Sequence, residues 1–273
     1  MGYPGRRGNF GVVTAFEIAL HPVQYVFGGF LTYASKSPLE LLHILRDLAA
    51  LPGDAFSLIA TLTPAKSGTY HLDAEIGYAG DLQQGEERLA PLRRLSQLTA
   101  DGVKRRTFLD LKSLVPADIP PQYWESRGGF LASLDDEVMA VLAQAMQSGP
   151  PTYNELSFLH LNGAVTRIPT AGTAFPLRAP GFACGIVSAW NPAHGPDASV
   201  AWVDETAAKL ASFGRGAYVN VMDRQSSEAV RSAYGSNYDR LAALKVRFDP
   251  SNVLSINQNI EPLHGKRHSR LPK

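Results

Sequence analysis

Apolar residues recur at helical spacing in several stretches of this 273-residue chain. Ser37 and Glu40 have the spacing of a capping box, and leucines follow at positions 41, 45 and 48 on one helical face. Pro52 and Gly53 predict the end of this helix. Similar spacings predict helices over residues 86–98, 135–147 and 197–213, and a final helix that ends before Asp249-Pro250.

Alternating apolar and polar positions predict strands between these helices. The runs are 9–34, which is interrupted at His21-Pro22, and then 56–63, 70–79, 104–111, 153–161, 181–190 and 217–222. Residues 113–130, rich in proline, glycine and aromatic side chains, are predicted to form a loop. The pattern contains no internal repeat and predicts an α+β fold, a mostly antiparallel sheet covered by helices on one face.

Composition excludes several classes of protein. With 45% hydrophobic and 19% charged residues the chain should fold, and Lys+Arg 26 against Asp+Glu 25 gives no basis for binding nucleic acid. The single cysteine, Cys184, excludes an internal disulfide, and the histidines have no metal-site spacing, so no metal is expected. No apolar run is long enough to span a membrane, and the N-terminus lacks a signal-peptide core, so we expect a cytoplasmic protein.

Three segments could carry chemistry. The glycine-rich stretch 5–14 could bring backbone N–H groups close to a phosphate, or it could be a loop. Alternation places Tyr218 and Asn220 on one strand face, where a cofactor or neighbouring backbone could bond them. The amides of Asn257, Gln258 and Asn259 fit either an exposed loop or contact with a polar ring.

Together these segments resemble one family, the berberine-bridge-enzyme-like FAD-linked oxidases. Gly8-Asn9-Phe10-Gly11-Val12-Val13-Thr14 is similar to the strand that closes the family's FAD-binding domain. The family's C-terminal berberine-like segment resembles, in order and spacing, Tyr218-Val219-Asn220, the stretch from Tyr234 to Leu241, Lys245, the stretch from Phe248 to Asn252, and Asn257-Gln258-Asn259-Ile260.

The resemblance implies FAD as cofactor and oxidation of a hydroxylated small molecule, such as a sugar, an alkaloid or a polyketide, by hydride transfer to the flavin. Tyr218 is the candidate catalytic base, because Val221, at a position that is often aromatic in the family, cannot accept a proton. The candidate cofactor-binding residues are Gly8, Asn9, Phe10, Gly11, Val12, Asn220, Asn257 and Asn259.

The resemblance also predicts the domain organisation. Residues 1–27 would be the truncated end of an FAD-binding domain, 28–215 a substrate-binding α+β domain, 216–262 the berberine-like segment and 263–273 a disordered basic tail. The family residues that tether flavin covalently have no counterpart here. The alternative is an inactive remnant or protein-interaction module that binds no flavin alone, with a homo-oligomer formed through the exposed domain interface.

Overall fold

A computed structural model describes residues 8–51, 53–65, 68–114, 123–191, 193, 195–219, 226–256 and 258–263. The strands are β1 (Val26–Ser35), β2 (Phe56–Pro64), β3 (Tyr70–Tyr78), β4 (Leu98–Asp101), β5 (Lys104–Arg106), β6 (Tyr123–Leu131), β7 (Tyr153–Leu161) and β8 (Gly181–Trp190). The helices are α1 (Pro38–Ala49), α2 (Leu82–Arg93), α3 (Phe108–Lys112), α4 (Asp136–Gln147), α5 (Asp197–Leu210), α6 (Ser227–Tyr234) and α7 (Tyr238–Phe248).

The strands form one eight-stranded sheet in the order β4-β1-β3-β2-β7-β8-β6, with β5 also paired to β1. Every pairing is antiparallel. The predicted α+β class with an antiparallel sheet is therefore confirmed.

One face of the sheet carries the main apolar core. The strand register places Leu31, Ala74, Ala60, Phe158 and Cys184 in a single buried row across five strands. Helices α1, α2, α4 and α5 pack against the sheet, and their buried side chains join these residues in one cluster. Burial raises the pKa of the Cys184 thiol to about 12, so this cysteine is a protonated core residue.

The opposite face of the sheet, which we call the open face, is covered differently. Its main cover at one end is Leu111 of α3, which lies over Gly28 and Gly77 on the paired strands β1 and β3. A Cβ at Gly28 would lie 3.2 Å from Leu111 methyl carbons, so glycine makes room for this contact. The open face also carries half-buried polar side chains, described below.

Local signals set the helix boundaries. Ser37 Oγ accepts the Glu40 N–H at 3.4 Å, which confirms the predicted start of α1. Helix α2 begins four residues before its predicted start, because Asp81 caps it by accepting the Gln84 N–H at 2.9 Å. Helices α4 and α5 lie within the ranges predicted for them, 135–147 and 197–213.

Two stretches were predicted wrongly. Residues 104–111 contain only the short strand β5 and then α3, which begins at a capping box formed by Thr107 and Asp110. The stretch 113–130, predicted as a loop, contains β6, which pairs along its whole length with β8. Gly128 and Gly129 weaken the local strand pattern, and the pairing with β8 overrides it.

The ends of the chain also differ from the pattern. Between residues 8 and 25 there is no strand, although the apolar alternation extends through Leu20. Residues 217–219 form no strand, and positions 220–222 lie outside the described residues. The predicted final helix is two helices, α6 and α7, separated by Gly235 with φ +50°.

The described residues form two compact units. One, the terminal unit, takes residues 8–19, 168–178 and 216–263; the other, the sheet unit, takes 20–167 and 179–215. The predicted boundaries at 27, 215 and 262 stay predictions. No helix in the described part of the chain combines the length and apolar character needed to cross a bilayer.

Candidate functional site

Asn9 joins the glycine-rich turn to the C-terminal segment within the terminal unit. Its Nδ2 donates to the carbonyl oxygen of Gln258 at 3.1 Å, and its Oδ1 accepts the Ile260 N–H at 2.8 Å. Asn9 is only 5% exposed, so both bonds are shielded from water. The two partners flank Asn259, and the Asn9 side chain therefore holds the backbone on both sides of that residue.

Lys245 lies beneath this junction with its side chain fully buried. Its Nζ donates to the carbonyl of Asn9 at 2.7 Å, to Asp249 Oδ2 at 2.7 Å and to the carbonyl of Leu254 at 2.8 Å. These three bonds use all three ammonium hydrogens. A buried cation is thus completely satisfied, and one of its partners is the turn residue Asn9.

Asp249 completes the charge pair. Its carboxylate also accepts the N–H groups of Val253 and Leu254 at 2.9 and 2.8 Å. The hydrogen bond from Lys245 is the largest cause that lowers the pKa of Asp249, and these backbone bonds act in the same direction. The Asp249 carboxylate therefore stays ionised at neutral pH, and its hydrogen bonds fix the chain that follows α7.

Asn259 has an unmatched acceptor. Its Oδ1 is buried and has no hydrogen-bond partner within the described stretches of the chain. An orphaned carbonyl oxygen at a rigidly held position is unfavourable unless a donor meets it. A ligand N–H or O–H group is a suitable donor.

The two glycines of the turn differ in the room that each has for a side chain. A Cβ at Gly8 would lie 2.6 Å from the carbonyl oxygen of Gly11, so residue 8 must be glycine in this turn. A Cβ at Gly11 would meet nothing within 4 Å. Phe10 packs on the small apolar cluster of the terminal unit, whereas Val12 is 83% exposed. Of the other predicted site residues, Asn220 and Asn257 lie outside the described residues.

Tyr218 lines a cleft of about 210 Å³ within the terminal unit. The Phe175 and Tyr218 rings meet edge to face with centroids 5.5 Å apart, and Tyr234 lines the same cleft. The other lining side chains are apolar and small. The cleft is wide enough for one ring of a ligand and offers a phenol at its wall.

The open face of the sheet carries a row of small polar positions, which we call the hydroxyl row. Adjacent strands place Thr32, Asp73, Thr61, Ser157 and Gly185 in register. Thr32 Oγ1 donates to Asp73 Oδ1 at 2.6 Å, which confirms that the two side chains share this face. The row is a shallow polar strip that can bond ligand hydroxyls.

Tyr153 and Glu155 follow each other on the same face of β7. The Tyr153 hydroxyl donates to the Glu155 carboxylate. Burial, first of all, raises the pKa of Tyr153, and the hydrogen bond to Glu155 and the charges of Glu155 and Asp73 raise it further. Tyr153 is therefore a donor at neutral pH and a poor proton acceptor.

The roles of Lys245 and of the hydroxyl row were missed in the sequence. Lys245 had a detectable signal, since it stands on the apolar stripe of α7 with Leu241 and Ala242, four residues before Asp249. The hydroxyl row depends on the register of five strands, which alternation within single strands does not give. Among the described residues, no three His, Cys, Asp or Glu side chains are grouped as a metal site would need.

Parts of this chain are similar to known proteins. The family model "Berberine and berberine like" matches residues 217–261. An uncharacterised FAD-linked oxidoreductase, YgaK of Bacillus subtilis (strain 168), is 24% identical over 262 residues, which are 95% of this chain and 58% of the relative. The chain thus spans little more than half the length of this relative.

Solved structures show the same fold. A variant of berberine bridge enzyme in complex with (S)-reticuline superposes with a TM-score of 0.78 at 18% identity, over 94% of this chain and 59% of that one. For 6-hydroxy-D-nicotine oxidase from Arthrobacter nicotinovorans the TM-score is 0.77 at 22% identity, over 93% and 58%. Residues 217–261 thus match the berberine-like family model, and the chain is similar to FAD-linked oxidoreductases and has the fold of part of berberine bridge enzyme.

Proposed function

We propose that this chain contributes to the FAD-dependent oxidation of a hydroxylated small molecule, such as a sugar, an alkaloid or a polyketide-type alcohol. Bound FAD would accept the hydride, and the residues of this chain would bind the substrate and take up its proton. The observation that carries the proposal is the junction at Asn9, which joins the glycine turn to the backbone on both sides of Asn259.

The residues at this junction fit part of a flavin nucleotide. The buried, orphaned Oδ1 of Asn259 suits an N–H donor of the flavin ring. The space beside Gly11 allows close backbone approach by a ligand, for which Gly8 and Phe10 supply neighbouring peptide groups. Asn9 itself would fix the turn, since its side-chain amide bonds this chain. Contacts from Val12, Asn220 and Asn257 rest on the family resemblance alone.

Tyr218 is the proposed proton acceptor. Its phenol lies at the wall of a cleft that has room for one ring, and an aromatic neighbour, Phe175, limits how its own ring can turn. A positioned base contributes about a hundredfold or more to a proton-transfer step. Loss of that hydroxyl should therefore affect turnover much more than cofactor retention.

The hydroxyl row is the proposed contact surface for a polyhydroxylated substrate. Thr61 and Ser157 offer hydroxyls that can donate or accept, and Asp73 offers a carboxylate acceptor. Such a strip recognises alcohol groups at several positions of one molecule, which favours a sugar-like substrate over a largely apolar one.

Flavin retention tests the cofactor assignment. The purified chain is mixed with FAD, excess FAD is removed, and the absorbance spectrum of the protein is recorded. We expect a retained flavin spectrum, and Asn259→Leu should weaken retention while an exposed change, Asn162→Leu, should not. A wild-type chain that emerges colourless would contradict FAD binding by this chain.

Turnover tests Tyr218. The flavin-loaded chain is screened with hydroxylated compounds by peroxide release, and Tyr218→Phe is compared with Tyr234→Phe from the same cleft. We expect the first change to lower kcat about a hundredfold or more and to leave the flavin spectrum unchanged. If Tyr218→Phe turns over like Tyr234→Phe, Tyr218 is not the base.

A second candidate function, an interaction module without flavin, is favoured by one observation. Apolar side chains are strongly exposed between residues 12 and 20, where Ile18 is 72% and Leu20 89% exposed. A surface of this kind favours association with another chain or a second copy. Sedimentation of the flavin-free chain tests it: concentration-dependent dimers that Ile18→Ser abolishes would support the module, and a monomer at all concentrations would contradict self-association.

A further inference from the structure

The bonds made by Asn9 to residues 258 and 260 resemble those of a neighbouring strand. In a sheet, one residue bonds the carbonyl and the N–H that flank its counterpart, and here a side-chain amide does so. Residue 259 is therefore held from both sides, with its own side-chain oxygen left for another partner. The position of residue 259 is therefore only as well fixed as the position of Asn9.

Lys245 holds Asn9 from below. Within the described part of the chain, the Nζ–carbonyl bond of 2.7 Å is the one hydrogen bond that joins α7 to Asn9. Asp249 and Leu254 fix the ammonium from two other directions, so the cation cannot follow Asn9 if the turn moves. The Lys245 side chain is fully buried, which excludes water as a substitute partner.

We propose that Lys245 is a positioning residue for the flavin-side acceptor: through Asn9 it fixes the backbone at residue 259 and so the orientation of the Asn259 amide. The inference rests on the proposed function for the identity of the ligand. Its structural part, that Lys245 controls the order of residues 258–260, stands on the geometry alone.

Two variants test the structural part. Lys245→Met leaves the Asp249 carboxylate buried without its cation and risks misfolding, so the charge-balanced Lys245→Met/Asp249→Asn variant accompanies it. The matched control is Arg247→Met, which removes an exposed cation from the same helix. Asn9→Leu keeps the backbone carbonyl that Lys245 bonds and removes the side-chain amide, so it tests the bonds from Asn9 to Gln258 and Ile260.

Hydrogen exchange of single amides is the readout. The Ile260 N–H, bonded to Asn9 Oδ1, should exchange about tenfold faster in the Lys245 variants and in Asn9→Leu than in the control. The Val230 N–H in α6, bonded to the Ser226 carbonyl, should be unchanged. Equal exchange of Ile260 in variant and control would overturn the proposal, and so would equal acceleration at Val230, which would mean general destabilisation.

FAD titration of the same proteins tests the part directed at the ligand. We expect the charge-balanced variant to bind FAD about tenfold more weakly than Arg247→Met. Faster Ile260 exchange with unchanged FAD affinity would overturn the role toward the flavin. A wild-type chain that binds no FAD would end the proposed function, whereas the exchange result would still decide whether Lys245 positions residue 259.

Discussion

The hydroxyl of Ser157 on β7 lies directly over the backbone of Gly185 on β8, its register partner. A Cβ at position 185 would lie 2.5 Å from Ser157 Oγ. The hydroxyl row is therefore continuous across these two strands only because one member has no side chain. The closeness of the pair predicts a specific coupling between the two positions.

Gly185→Ala should destabilise the sheet unit by about 1–3 kcal/mol, because the added methyl overlaps with the serine hydroxyl. Ser157→Ala should relieve most of this cost, since the Ser157 Cβ would lie 3.8 Å from the new methyl. Urea unfolding of both single variants and the double variant measures the coupling. Additive effects in this cycle would show that the two positions do not touch.

Gly29 and Gly68 separate crowding from backbone strain. Both have positive φ, +147° and +70°, but an added Cβ overlaps with the Gly102 carbonyl at the first position and meets nothing within 4 Å at the second. Alanine at Gly68 should cost about 1 kcal/mol and alanine at Gly29 clearly more, because a backbone oxygen cannot rotate away. Thermal unfolding compares them, and equal losses would contradict the crowding at Gly29.

A buried polar network stabilises the junction of β7, β8 and α5. Asn154 Oδ1 accepts the Ser188 hydroxyl at 2.8 Å, and Asn154 Nδ2 donates to the Pro150 carbonyl at 2.7 Å. Asn154→Ala should lower the free energy of unfolding by about 1–3 kcal/mol, because it leaves buried partners unsatisfied. Asn162→Ala, an exposed asparagine after the same strand, is the control. A loss no larger than that of Asn162→Ala would argue against the network.

His160 predicts a pH dependence. Its ring stacks on Phe182 with centroids 5.0 Å apart, and burial lowers the pKa of its imidazole below the ordinary value of about 6.5. Between these pKa values the unfolded chain binds a proton that the folded chain does not. His160 thus favours unfolding as the pH falls below about 6.5 and contributes nothing above it.

The measurement is urea unfolding between neutral and mildly acidic pH. We expect the unfolding free energy of the wild type to fall more steeply on acidification than that of His160→Gln. His43→Gln, the same change at an exposed histidine, is the comparison variant. Identical slopes for His160→Gln and the wild type would contradict a lowered pKa.

Sequence patterns predicted elements whose stabilisation is local. Strands β7 and β8 were placed at their exact ends, because alternation or an apolar run is bounded there by turn residues. Helix α1 was placed by its cap and its leucine stripe. Strand β6 was missed because its Gly128-Gly129 pair acquires strand structure only by pairing with β8. Residues 8–25 show the converse error. Their alternating pattern predicted a strand, but within the described chain they have no partner strand to pair with.

The sequence predicted candidate residues of the site but not the hydrogen bonds that join them. Motif resemblance selected Asn9, Asn259 and Tyr218, and those roles stay predictions. The bonds from Asn9 to Gln258 and Ile260 span about the whole chain, and nothing in local sequence indicates a pairing over 249 and 251 positions. The position of Lys245 on the apolar stripe of α7 signals its burial, but its bond to Asn9 spans 236 positions and could not be predicted from that stripe.

The junction between Asn9 and Ile260 also constrains the order of folding. The sheet unit finds all its strand partners between residues 26 and 190, so it can form while the remainder of the chain is still being synthesised. Asn9 must wait until residues 245 to 260 have left the ribosome, since its partners Lys245 and Ile260 lie 236 and 251 positions further along the chain. A chain interrupted before residue 245 would carry a folded sheet and an unanchored glycine turn.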